Sequence, residues 1–216
     1  MKKIQNAEPS KDYLYTGRLE SALDDLRMCV HFLDVIENNY KWKWVVHSLT
    51  NSLYLLSLHI IKHRSPLNGI SDKALKKYLK EKEDGKLTRG EFFDKVYHHQ
   101  YKRTISFPQA TDVVAKVIPI SCSTLDLPQQ IINDEEIRCA KYLRQFYRDE
   151  FEHMKMDGHS FQVSHLPKYC IHALSFVKKI VKSDSFLMSA FDIREDTLSV
   201  ITLLRSKLEK EERKYL

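Results

Sequence analysis

The chain has 216 residues, of which 43% are hydrophobic and 30% charged, the balance of an ordinary globular protein. Five glycines and six prolines are too few for a β-sandwich or β-barrel, in which a turn recurs about every ten residues. The net charge of +6 is compatible with a nucleic-acid partner but does not establish one.

The cysteines and the apolar stretches indicate the compartment. Four cysteines are scattered without a CxxC pair, which favours a reduced, cytoplasmic protein: Cys29, Cys122, Cys139 and Cys170. No secretion signal is expected, because Met1 leads into a polar run. The most apolar stretch, residues 44–61, contains His47, Asn51 and His59. It therefore predicts a buried core helix and no membrane partner.

The first two predicted helices form a hairpin. Residues 1–16 are a loose lead-in, and residues 17–216 are predicted to be a single helical domain. Apolar residues repeat at intervals of three and four over about 17–38, which predicts the first helix. A second helix, about 42–62, is apolar on nearly all sides and should be central. Its short connection to the first predicts antiparallel packing.

The middle of the chain is less regular. A third helix is predicted from Ser71 to about Gly85, which can take the left-handed cap, and a short fourth one over 88–99. Residues 101–133 carry three prolines, with a small helical candidate at 111–117. We interpret this segment as an irregular excursion within the domain or as an interaction arm.

Three helices are predicted in the last third. The motif helix, about 134–154, should be capped by Asn133 or Asp134 with acidic residues in its first turn. Two more helices are predicted over about 166–182 and 192–214. The lysines of 73–86 and of the tail are mixed with glutamates, which is typical of solvated helix faces.

The end of the motif helix carries the most legible chemistry. Arg148 is a planar cation suited to phosphate, and His153 can transfer a proton near neutral pH. Asp149 lies one turn before His153 on the same face and can orient its ring. Arg144 adds a second cation one turn before Arg148. Cleavage of RNA through its own 2′-hydroxyl needs one group that moves the proton and one that stabilises charge on the phosphorane. His153 and Arg148 are such groups, and no metal is required.

Helical geometry complicates this hypothesis. Residues five apart are separated by about 140° around a regular α-helix, so Arg148 and His153 would not share a face. Either the helix loosens, or the long arginine reaches round, or a second subunit completes the site.

The residues around this motif are similar to a bacterial branch of the HEPN superfamily. That family has an arginine, then usually an asparagine, aspartate or histidine, then a histidine four to six residues beyond the arginine; Arg148, Asp149 and His153 match. Residues 43–53 resemble the family's second core helix. The likeness spans about 17–182 loosely and is specific around 143–167.

The resemblance implies a helical bundle that homodimerises along the motif helices and often acts as a metal-independent endoribonuclease. Such proteins occur in toxin–antitoxin, phage-defence and RNA-processing settings, so an antitoxin or another protein partner is expected. Two departures stand out. Lys155 replaces the tyrosine of the branch that is paired with nucleotidyltransferases. His159 stands before Ser160, where the family commonly has an aromatic residue before the serine that follows the motif helix.

Other candidate residues have weaker signals. His47 and Asn51 lie one turn apart on the second helix, where they either satisfy core polar contacts or shape the site. His59 and His63 have helical metal-ligand spacing, but no carboxylate or cysteine is near them in sequence, so no metal site is predicted. No phosphate-binding glycine loop occurs, so no cofactor is predicted either.

Two hypotheses therefore stand. In the first, the chain is a metal-independent HEPN-type endoribonuclease of the kind that serves as a toxin or defence component. Arg148, Asp149 and His153 are then catalytic, and Arg144 and Lys155 bind RNA. In the second, it is a non-catalytic helical dimer module that binds a protein, nucleotide or RNA partner, and the arginine and histidine are structural.

Overall fold

All regular secondary structure in the described part of the chain is helical. The computed structural model describes residues 17–64, 72–102, 105–121, 132–148, 162–183, 186 and 191–216, and no strand occurs among them. The predicted all-α class is confirmed. The α-helices are α1 Arg18–Val35, α2 Lys41–Arg64, α3 Asp72–Glu83, α4 Arg89–Lys102, α5 Phe107–Ser121, α6 Asp134–Tyr142, α7 Leu166–Lys182 and α8 Phe191–Glu212. A π-helical segment, Leu143–Arg148, continues α6.

Helices α1 and α2 form the predicted antiparallel hairpin. The Cys29 thiol donates to the carbonyl of Val45 at 3.5 Å, and the Ser52 hydroxyl donates to the carbonyl of Ala22 at 2.8 Å. Val45, near the start of α2, thus contacts the second half of α1, and Ser52, farther along α2, contacts the first half of α1. The two helices are therefore antiparallel.

The second helix is central, as predicted. It packs against α1, α5, α7 and the π segment. Trp44 near its start is 42% exposed, but most of its apolar side chains are almost fully buried: Trp42, Val45, Val46, Leu49, Leu53, Leu56, Ile60 and Ile61. No helix in the described ranges is long and apolar enough to cross a membrane. Around α2, helix α8 packs on α1 and α7, and α6 packs on α7.

Within the segment 101–133, the described residues 105–121 contradict the prediction of an irregular excursion or an interaction arm. Residues 107–121 form one helix, α5, which is longer than the candidate at 111–117. Its inner face is buried in the main core, with Phe107, Ala110, Val114 and Ile118 at helical spacing. Pro108 is compatible with this helix because it lies in the first turn, where a backbone N–H has no helical partner. Residues 122–131 lie outside the described ranges.

Helices α3 and α4 pack on each other around a small apolar cluster centred on Phe92. Gly85 takes a left-handed conformation (φ 71°) just after α3, as predicted for its cap. Lys95 of α4 contacts Glu81 of α3 at 3.0 Å, and Lys77 is 3.9 Å from the same carboxylate. These lysines therefore lie on solvated faces with acidic partners.

The apolar repeats of the sequence predict a bundle core made of leucines of the first two helices, Leu143 and Phe151. Most of these residues are buried: Leu23, Leu26, Leu49, Leu53, Leu56 and Leu143. Leu33 is only partly buried and packs at the edge of the core. Phe151 lies outside the described residues. Replacing one of the fully buried leucines by alanine would cost about 2–5 kcal/mol of stability.

Candidate functional site

The motif helix begins with a complete capping box. The Asn133 side chain accepts from the backbone N–H of Glu136 at 2.8 Å, and the Glu136 carboxylate accepts from the backbone N–H of Asn133 at 2.9 Å. Three acidic residues occupy the first turn, where the helix dipole favours them. The cap is therefore Asn133, one of the two predicted residues.

The motif helix is not a continuous α-helix. Its α-helical part ends at Tyr142, and residues Leu143–Arg148 are π-helical. In a π-helix the backbone hydrogen bonds join residues five apart, and such segments are frequent at functional sites. Ala140 and Leu143 are fully buried and anchor this transition in the core. The winding therefore changes one turn before Arg148.

Arg144 is held against an aromatic pair. Its guanidinium lies over the ring of Phe107, 5.7 Å from the ring centroid. The Phe107 ring is in turn 6.0 Å from the ring of Tyr54 in α2. A guanidinium over an aromatic face gains from cation–π attraction and keeps the positive charge that suits phosphate. The structure thus places Arg144 next to α2 through Phe107.

One face of α2 carries His47, Asn51 and Tyr54, all half-buried. Their spacing of four and three residues places them along a single stripe. The π segment also packs on α2, and the Tyr54 ring of this stripe lies 6.0 Å from Phe107, the ring beneath Arg144. Arg144 is thus connected to the stripe at its Tyr54 end.

Asp25 joins this face from α1. Asn51 Nδ2 donates to Asp25 Oδ2 at 2.6 Å. Burial raises the pKa of Asp25 to about 6; the bond from Asn51 opposes this shift and the charge of Asp24 adds to it. Asp25 therefore titrates close to neutral pH, which is common for carboxyls at functional sites. The antiparallel hairpin places it opposite Asn51.

The remaining predicted site residues lie outside the described part of the chain. Asp149, His153 and Lys155 are among them, and Arg148 is the last residue of the described π segment. Their proposed roles stay predictions. The side chain of His63 is likewise not described, whereas the ring of His59 is buried, 6.2 Å from that of Phe186.

A cluster with metal-ligand chemistry lies beside the start of the motif helix. Glu135 and Cys139 of α6 and His172 of α7 each offer one ligand atom, and these atoms lie within 4.8 Å of one another. No other group of three such residues occurs in the described ranges. The sequence alone does not predict this cluster. The spacing of Glu135 and Cys139 is a signal, but the third residue comes from another helix.

Comparison of this chain with protein-family models, with curated proteins and with solved structures found no match.

Proposed function

We propose that this chain is a metal-independent endoribonuclease of HEPN type. The observation that carries the proposal is the Arg148, Asp149 and His153 motif together with the π-helical winding that ends at Arg148. The π winding shows that the motif helix departs from regular α-helical geometry one turn before Arg148. The separation of about 140° that a regular α-helix imposes on residues five apart therefore does not carry over automatically to this helix.

The proposed reaction needs only the RNA and side chains. His153 accepts the proton of the 2′-hydroxyl, whose oxygen attacks the adjacent phosphorus. The bond from phosphorus to the 5′-oxygen breaks, and that oxygen takes up a proton from solvent, while His153 releases the proton that it accepted to solvent. The products are a 2′,3′-cyclic phosphate and a 5′-hydroxyl. Arg148 stabilises the negative charge of the phosphorane, and Asp149 orients the imidazole ring.

RNA would be held by residues around the motif. Arg144, whose guanidinium lies over the Phe107 ring, contributes positive charge for phosphate binding. Lys155 adds a second cation. His47 and Asn51 shape the site from the stripe on α2 that also carries Tyr54. A net charge of +6 gives the whole chain a favourable field for a polyanion.

The proposed enzyme is a homodimer in which the motif helices meet about a two-fold axis. Ala140 and Leu143 are buried within the chain's own core, and the exposed side of the motif helix, which includes Arg138 and Gln145, is available to a partner. Light scattering at tens of micromolar protein should give the mass of a dimer. A monomer at that concentration would contradict this part of the proposal. A toxin or defence role, with an antitoxin or other protein partner, fits such an enzyme.

The direct test is incubation of pure protein with mixed RNA in EDTA. The wild type should cleave, and an Arg148→Ala/His153→Ala double variant should not. Circular dichroism of the double variant provides the folding control. If the wild type binds RNA or a protein partner but leaves RNA intact, the chain is a non-catalytic helical dimer module instead.

A further inference from the structure

The donors of Glu135, Cys139 and His172 match the preferences of zinc. Zn²⁺ takes carboxylate oxygen, thiolate sulfur and imidazole nitrogen at about 2.0–2.3 Å in a tetrahedral arrangement. Donors around one such ion lie about 3–4 Å apart. Here all three ligand atoms lie within 4.8 Å of one another, so small side-chain rotations bring them to a common centre.

Contacts between α6 and α7 hold the cluster in register. On one side, Lys179 of α7 contacts the carboxylate of Glu136 at 2.7 Å. On the other, the rings of Tyr142 and Tyr169 meet edge to face, with centroids 5.3 Å apart. These contacts lie on either side of the cluster and define an antiparallel pair of helices. The ligand positions are therefore organised before an ion arrives, which lowers the cost of binding.

The cluster is open to solvent on one side. Cys139 is fully buried, whereas Glu135 and His172 are half-buried. The Cys139 thiol donates to Glu135 Oε1 at 3.6 Å, so sulfur and carboxylate already face each other. Metal coordination replaces the thiol proton, which leaves to solvent. An ion can enter from the side of Glu135 and His172 and keep a water as its fourth ligand.

Arg138 competes with a metal ion for Glu135. Its guanidinium contacts both carboxylate oxygens, Nε to Oε2 at 2.8 Å and one terminal nitrogen to Oε1 at 2.6 Å. The Arg138 side chain is 59% exposed, and exposed ion pairs contribute little to stability. The arginine can therefore swing into solvent when an ion binds.

We propose that Glu135, Cys139 and His172 form a binding site for Zn²⁺ with three protein ligands and an open fourth position. The ion would join the motif helix to α7. This site is separate from the proposed ribonuclease chemistry, which needs no metal. Loss of zinc binding and loss of RNA cleavage are thus independent outcomes.

The test is metal binding to protein first stripped with a chelator and then freed of the chelator. Isothermal titration with Zn²⁺ should give one ion per chain, and Co²⁺ should give a thiolate-to-cobalt charge-transfer absorption. Cys139→Ser and His172→Gln should each abolish the absorption and weaken zinc binding at least about tenfold. Cys29→Ala and His165→Gln, which remove a thiol and an imidazole outside the cluster, should bind like the wild type.

Wild-type protein without stoichiometric zinc binding would overturn the proposal, as would a Cys139→Ser variant that keeps the cobalt absorption. His172 is half-buried, so His172→Gln remains informative if Cys139→Ser fails to fold. Arg138→Ala offers the opposite prediction. It frees the Glu135 carboxylate and should tighten zinc binding roughly two- to fivefold, and weaker or unchanged binding would exclude Glu135 as a ligand.

Discussion

Asn51 of α2 donates a hydrogen bond to Asp25 of α1, with 2.6 Å between Nδ2 and Oδ2. Burial nevertheless raises the pKa of Asp25 from 3.8 to about 6. The folded protein thus binds this proton more tightly than the unfolded chain does. The contribution of Asp25 to stability therefore falls as the pH rises from about 4 to about 6 and stays level above that.

The first prediction replaces this carboxylate. Asp25→Asn removes the buried charge but keeps an oxygen that accepts from Asn51. We expect the variant to be more stable than the wild type at pH 7.5 by about 1–2 kcal/mol, after allowance for solvent screening. At pH 3.5 the two proteins should differ little. Chemical denaturation at both pH values measures this, and Asp94→Asn, at an exposed carboxylate of α4, is the matched control. A wild type that is more stable than Asp25→Asn at pH 7.5 would contradict the raised pKa of Asp25.

The second prediction concerns a buried ion pair. Lys41 Nζ lies 2.8 Å from the Glu211 carboxylate, and the two side chains are only 5% and 9% exposed. Glu211→Ala leaves the buried Lys41 ammonium without this partner. We expect a loss of about 3–5 kcal/mol in the free energy of unfolding, measured by denaturant titration.

Lys214 supplies the control for that pair. It contacts the same carboxylate at 2.6 Å, but its side chain is 53% exposed. Lys214→Ala should therefore cost less than about 1 kcal/mol. A double variant, Lys41→Met with Glu211→Leu, should recover most of the stability because no buried charge remains. Equal losses in the free energy of unfolding for Glu211→Ala and Lys214→Ala would contradict a larger contribution from the buried Lys41–Glu211 pair.

The third prediction concerns RNA binding by Arg144. Arg144→Ala should weaken RNA binding and reduce the slope of log K against log salt concentration by about one, because one phosphate contact is lost. In cleavage assays, KM should rise more than kcat falls. Arg138→Ala, which removes an arginine paired with Glu135, is the control. An unchanged salt dependence would remove Arg144 from the RNA-binding surface.

The helices that the sequence predicts well are those with one clear apolar face and clear ends. For α1 and α2, the repeat of leucines and the Asn38-Asn39 break predict both bounds within about three residues. The side chains of Asn133 and Glu136 can each accept a hydrogen bond from the other residue's backbone N–H. The sequence therefore predicts the cap of the motif helix, because a capping box depends only on local residues.

The structural features that the sequence does not predict correctly have physical causes. The three prolines of residues 101–133 favour a helix shorter than α5, although Pro108 lies in the first turn, where a proline costs no hydrogen bond. The π winding of 143–148 shifts the backbone hydrogen bonds by one residue, and no composition marks it. Asp25 and the His172 ligand depend on which helices become neighbours. That information is tertiary, so single-sequence periodicity does not contain it.

The central claim is proton transfer by His153, and the most direct measurement is cleavage of a defined RNA by His153→Ala in EDTA. We expect cleavage to fall by about 10²–10⁴-fold while RNA binding changes little. The wild type should release a 2′,3′-cyclic phosphate. A His153→Ala variant as active as the wild type, or a wild type that leaves the RNA intact, would contradict the account.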